Sequence, residues 1–331
     1  MTGADATLQA PQDRPLTIVI LLSEPLQGTI GEVMEAAAED YPDLDWSAAF
    51  GGSPVINTAS ATLAAEMTAP LAPEGRIIFI GHPGPCMADW KLPLSRSRFA
   101  FREVEAAITR HTDHLTLSIL SSEPGTAERF AAMRKLTCLG AVFAKLPTAL
   151  AVYVEESGLV VQPERWVKAA DTALRAELPV LEWVAIWSDA PKHGVVSVNT
   201  IGLAALAGAE VCFADAAVEG GSAAQWVIGF ACSLVEAEQP YGDGDTIGIE
   251  GDGMEKALRI RKTVSESFGG CDVWCLIHPT CEIDFDRMLG PVRAPHAPAP
   301  ERQERMVNFG VLRQKLARFS ERRPGGRPRQ P

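Results

Sequence analysis

Apolar positions along this chain follow two rhythms. Runs of about strand length stand at residues 16–23, 44–50, 61–68, 76–81, 114–120, 149–155, 180–187, 246–250 and 272–277. Between them lie stretches whose apolar residues return every three to four positions. The first rhythm predicts strands and the second predicts amphipathic helices. Ile30, Val33, Met34, Ala37 and Tyr41 form one helical stripe; Phe101, Val104 and Ile108 form another within 98–110. Thr126 stands where it would cap a helix reaching about residue 145. Pro163 occupies the favoured first position of a helix whose stripe is Trp166, Val167, Ala170, Ala173 and Leu174. Ser222-Ala-Ala-Gln225 has the form of a capping box ahead of Trp226, Phe230 and Leu234. The 180–187 run is apolar almost throughout, which predicts a strand covered on both faces.

One element comes twice. Thr17-Ile-Val-Ile-Leu-Leu-Ser-Glu-Pro25 returns 99 positions later as Thr116-Leu-Ser-Ile-Leu-Ser-Ser-Glu-Pro124, with six of nine residues identical. Each copy is a strand-like run ending at Ser-Glu-Pro and followed by a helical pattern. Repeats decide architecture before local detail does. The expected fold class is therefore α+β, with two duplicated ferredoxin-like, βαβ-containing halves in mixed, mainly antiparallel sheets covered by helices. The expected division is a loose leader over 1–14, a first half over 15–112, a second half over 113–290, and a Pro-rich linker with a basic, mostly disordered tail over 291–331.

Charge sharpens that division. The net charge is −12, but residues 291–331 carry +7, so the first 290 carry −19. An acidic body disfavours nucleic acid and anionic membranes, and only the tail has the opposite character. Four prolines in 291–300 predict a semi-rigid spacer. Beyond it, Phe309, Leu312, Leu316 and Phe319 make a short stripe that would become helical on contact with an acidic surface. No apolar run approaches the ~20 residues of a membrane span. The polar residues 1–14 lack the apolar centre of a secretory signal. Seven scattered cysteines imply no disulfide framework, so a cytoplasmic location is expected.

Three pieces, in order, carry a family likeness: Ala151-Val-Tyr-Val-Glu-Glu-Ser-Gly-Leu-Val-Val-Gln-Pro-Glu164, Thr200-Ile-Gly-Leu-Ala-Ala-Leu-Ala-Gly-Ala-Glu210 and Asp243-Gly-Asp-Thr-Ile-Gly248. With Pro179-Val-Leu-Glu-Trp-Val-Ala185 between the first two, they resemble an uncharacterised, mainly bacterial family, domain of unknown function 4261. Ile18-Val-Ile-Leu-Leu-Ser-Glu-Pro25 looks like the start of that family. The resemblance covers roughly 15–280. It departs at Gly208-Ala209-Glu210, where the family tends to have Gly-x-Pro-Glu. It implies a soluble α/β body, and it supplies no activity to carry over.

The residues must then be weighed for themselves. Gly-rich phosphate loops, a nucleophile elbow and the His-Glu-x-x-His zinc motif are missing. In Gly81-His-Pro-Gly-Pro-Cys86, His82 is placed to make Cys86 a thiolate, although no third group orients the imidazole. His193, Asn199, Thr200 and Glu210 are candidates to line a small pocket. Cys271, Cys275, His278 and Cys281 suggest zinc, but residues four apart on a strand stand ~13 Å apart, too far to share one ion. Asp243, Asp245, Glu250 and Asp252 suggest calcium, but the EF-hand pattern fails at Ile247 and Met254, so a hairpin turn is expected. Glu155 and Glu156 are neighbours on a strand, point opposite ways and cannot pair as acid and base.

No metal and no cofactor are expected. The sequence favours a non-catalytic binding or adaptor protein with a protein partner, in a bacterial stress or toxin-immunity setting. The alternative is a small-molecule enzyme or sensor with a pocket between the halves, using Cys86 and His82 or the 193–200 loop.

Overall fold

The computed structural model describes residues 14–26, 30–42, 44, 55–56, 64–71, 75–98, 100–120, 125–175, 177–188, 194–236, 241–249, 257–265, 268, 270–289 and 305–307. The leader, the 45–50 run, His193, Glu250, Asp252 and the Phe309–Leu312–Leu316–Phe319 stripe lie outside them. The chain forms two compact units. The first takes residues up to 187 with 200–210 and 265–272; the second takes 188–199, 211–264 and the residues from 273 on. Among the described residues no helix is long and apolar enough to cross a membrane.

β1 (Leu16–Leu22) explains the first unit, because all seven of its residues are buried. A strand buried on both faces needs a layer on each side. It lies inside a seven-stranded sheet with β2 (Val55–Ile56), β3 (Ala64–Leu71), β4 (Gly75–Pro83), β5 (Asp113–Leu120), β6 (Ala149–Val154) and β7 (Leu159–Val161), in the order β2-β3-β4-β5-β1-β6-β7. Every neighbouring pair is antiparallel. On one face lies α4 (Thr126–Ala144), with α1 (Ile30–Asp40) and α5 (Pro163–Leu174) packed against it. On the other, Val19 and Leu21 meet Phe101, Val104, Ala107 and Ile108. Those four residues come from the loop before, and the body of, α3 (Val104–Arg110), which follows α2 (Lys91–Ser97).

The two copies of the repeat are β1 and β5, and they lie side by side. Ile18 pairs with Leu117, its own counterpart 99 positions on. A local two-fold axis through that pair therefore relates the copies. β1 and β4 bracket β5, and β5 and β6 bracket β1. β5, α4 and β6 make a split βαβ unit with β1 between its strands, whereas β1 reaches β4 through α1, β2 and β3. The expected pair of ferredoxin-like halves, divided at 112/113, is corrected here: both copies build one sheet, because each offers its edge to the other.

Several local expectations also change. The helix expected over 98–110 is shorter, α3 alone at Val104–Arg110, with α2 ending before it at Ser97 and Phe101 buried between the two. Gly125, not Thr126, is the N-cap of α4. The 180–187 run is a single helical turn, α6 (Val180–Trp183), followed by β8 (Ala185–Ser188). Its Trp183 donates from Nε1 to Thr137 Oγ1 of α4 at 2.9 Å, and Trp166 of α5 donates to the Thr137 carbonyl at 3.1 Å. Two indole donors thus converge on one threonine, and that geometry needs a turn at 180–183.

A second sheet has the order β14-β11-β12-β13-β10-β9-β8, with β9 (Val196–Ile201), β10 (Ala209–Ala216), β11 (Thr246–Ile249), β12 (Leu258–Ser265), β13 (Cys271–Ile277) and β14 (Arg305–Val307). Between β9 and β10 stands α7 (Leu203–Ala207). α8 (Gly220–Glu236) lies on this sheet through Trp226 against Phe213 and Phe230 against Trp274. It begins at Gly220, so Ser222 sits inside the helix rather than capping it. α9 (Phe285–Leu289) follows β13. β14 corrects the tail, since Arg305–Val307 pairs in parallel with Ile247–Ile249.

Candidate functional site

The loop after β4 gathers His82, Cys86, His111 and His114. The β4–β5 register sets His82 opposite His114, and their rings stack at 4.6 Å. Gly84, at φ 100°, turns the chain, and its carbonyl accepts from His114 Nδ1 at 3.0 Å. His111 Nδ1 donates to the Ile108 carbonyl, which leaves Nε2 as an acceptor. Nε2 receives the Cys86 amide at 2.8 Å. Burial pulls His111 below the usual imidazole range, so the neutral ring that this bond requires is the favoured one. Trp90 closes the group, edge-on to His111 and to Tyr153.

This arrangement does not activate Cys86. Burial pushes its thiol up, and the Glu155 carboxylate adds to that shift. His82 stacks on His114 and is held below its ordinary value by burial and by that neighbour. The imidazole that reaches Cys86 is His111, and it touches the amide. The group orders a loop. That loop presents Met87 to solvent, at 93% exposure, and Leu92 in the first turn of α2 beside it is 54% exposed.

Thr200 and Glu210 do meet. Glu210 Oε2 accepts from Thr200 Oγ1 at 2.6 Å and from the Leu203 amide at 3.3 Å. Oε1 accepts from the amides of Gly202 at 2.8 Å and Ala204 at 3.2 Å. The carboxylate caps the first turn of α7 and satisfies donors a helix start leaves free. Burial raises its pKa, and these four bonds work against that shift. Gly202, at φ 96°, is required, since a Cβ there would sit 2.8 Å from Ser157 Cβ. Asn199 pairs instead with Cys212. Of the expected pocket residues, Thr200 and Glu210 are thus parts of a cap.

The acidic turn has a similar explanation. Asp243 accepts from Arg261 Nε and from the Lys262 amide, both at 2.9 Å. Arg261 is 2% exposed and also bonds Asp286, which holds Arg259 through two further bonds. Asp243 therefore serves a buried guanidinium that would otherwise be costly. Among the described residues no three or more His, Cys, Asp or Glu side chains are placed to hold a metal.

Strand alternation gives no sign of the surroundings of Glu156. Its Oε1 accepts the Thr17 amide at 2.5 Å, while Oε2 is sealed from solvent without a hydrogen-bond partner among the described residues. Burial pushes this carboxyl up to about 8, against the opposing pull of Arg129. Only an apolar strand on each side of the 155–158 turn signalled such burial. No family model, curated protein or solved structure matches the chain.

Proposed function

We propose that this protein acts by binding, as an adaptor for a protein partner. The observation that carries the proposal is the ordered segment after β4: Met87 in a loop held at Gly84 and Cys86 by His114 and His111, and Leu92 at the start of α2, both standing in solvent. An exposed methionine beside an exposed leucine on an ordered backbone suits recognition of a protein surface. The clusters that suggested catalysis spend their polar groups on the chain itself. The net charge of −12 favours a partner with a basic face around an apolar anchor. Membership of domain of unknown function 4261 and a stress or toxin-immunity setting belong to the same proposal.

Site-specific photocrosslinking tests it. A benzophenone side chain at position 87 of the full chain should trap one basic protein. The same probe at exposed Val264 should not, and Leu92→Asp should cut the yield about tenfold. Equal trapping at 87 and 264 would overturn the proposal. So would a turnover of small molecules abolished by Cys86→Ala.

A further inference from the structure

Two cysteines 63 residues apart in the chain meet on the second sheet. β10 and β13 are neighbours there, and Cys212 Sγ lies 2.9 Å from Cys275 Sγ. Both are free thiols. A disulfide bond is ~2.05 Å long, so closure asks for roughly 0.9 Å of movement. The sheet face away from Phe213 and Trp274, and hence away from α8, carries this pair. Arg261 of β12, the next strand beyond β13, brings a positive charge near it.

The two sulfurs are unequal. Cys212 donates its hydrogen to Cys275. That bond lowers the Cys275 pKa, and Arg261 lowers it further, against burial. The same bond raises Cys212, as does burial. One thiol is thus prepared as the thiolate and its neighbour as the resolving group. Cys138 is the contrast within this chain: buried in α4, its thiol is pushed up to about 12.

The geometry points to Cys212 and Cys275 as a redox modification site, closed by a hydroperoxide into a disulfide between β10 and β13. The Cys275 thiolate attacks the outer peroxide oxygen, the O–O bond breaks, and the alcohol or water leaves with a proton from solvent. Cys275 is then a sulfenic acid. Cys212 attacks its sulfur, the S–O bond breaks, and water leaves with the Cys212 proton. In total, two thiols and one hydroperoxide give a disulfide, an alcohol or water, and one further water. The sulfurs lose the two electrons that the peroxide gains. A disulfide between adjacent strands is strained enough to be reduced again readily by a dithiol.

The test uses the full chain and hydrogen peroxide, followed by alkylation in denaturant and peptide mass spectrometry. Cys212 and Cys275 should lose alkylation together and appear as one linked peptide pair, lighter by two hydrogens. Dithiothreitol should restore both, while Cys138 stays free throughout. In Cys212→Ser, a sulfenic acid should accumulate at Cys275 and be trapped by dimedone. Cys275 should be consumed about tenfold faster than Cys86. The proposal falls if both thiols stay free at peroxide levels that oxidise Cys86 or Cys281, or if the link joins other cysteines. The unmodified chain decides this alone should the serine variant fail to fold.

Discussion

Glu156 shows how position overrides the chemistry of a residue type. In the unfolded chain it titrates near 4.5; folded, burial moves it to about 8. The folded state therefore holds a proton that the unfolded state has lost between those values. The contribution of Glu156 to stability is most favourable below about pH 4.5, falls by about 1.4 kcal/mol per unit inside the window, and levels off above about pH 8. Glu156→Gln removes that slope. Urea midpoints at pH 4, 6 and 8 should converge with or cross those of the parent as pH rises; parallel curves would mean the carboxyl is solvated. The sequence offered Glu155 and Glu156 as equals, since alternation tells which way a side chain points and not what covers it. In the same way, Cys86 and His82 were legible as neighbours, but His111, which binds the Cys86 amide, comes from the end of α3.

At the scale of elements, periodicity worked where one rhythm was long. β1, β5, α4 and α5 stand close to where their patterns put them. It failed over the first half of 180–187, where apolar content predicts a strand and Trp183 instead reaches Thr137 from a helical turn, while β8 begins at Ala185. That contact spans 46 residues, beyond any local window. The packing of α4 gives a test. Gly140 lets the helix approach so closely that a Cβ would stand 2.4 Å from Ile18 Cδ1 and 2.8 Å from Trp166 Nε1. Gly140→Ala should lower stability by about 1–3 kcal/mol despite alanine's better helix propensity. Thermal or urea unfolding reads this directly. An unchanged or raised midpoint would show that Ile18 and Trp166 yield freely.

For the whole molecule, the tail enters the described fold at Arg305–Val307, which pair with β11 although the sequence pattern makes the residues beyond the prolines dispensable. Removing residues from 304 on leaves β11 as an open edge with unpaired amides. Hydrogen exchange at 246–249 should then speed up, while β1 and β5 keep their protection. No change at 246–249 would mean that this pairing contributes nothing.

The amino-acid sequence by itself determined the α+β class, the strand-helix repeat and the segregation of charge. These follow from short-range pattern, which each segment carries alone. Only the tertiary structure decided that the repeated strands share one sheet about the Ile18–Leu117 pair, that Glu210 caps α7, and that Cys212 meets Cys275. Each depends on residues distant in the chain being brought to one place. Hydrophobic periodicity specifies which face a strand buries, but not which strand it lies beside.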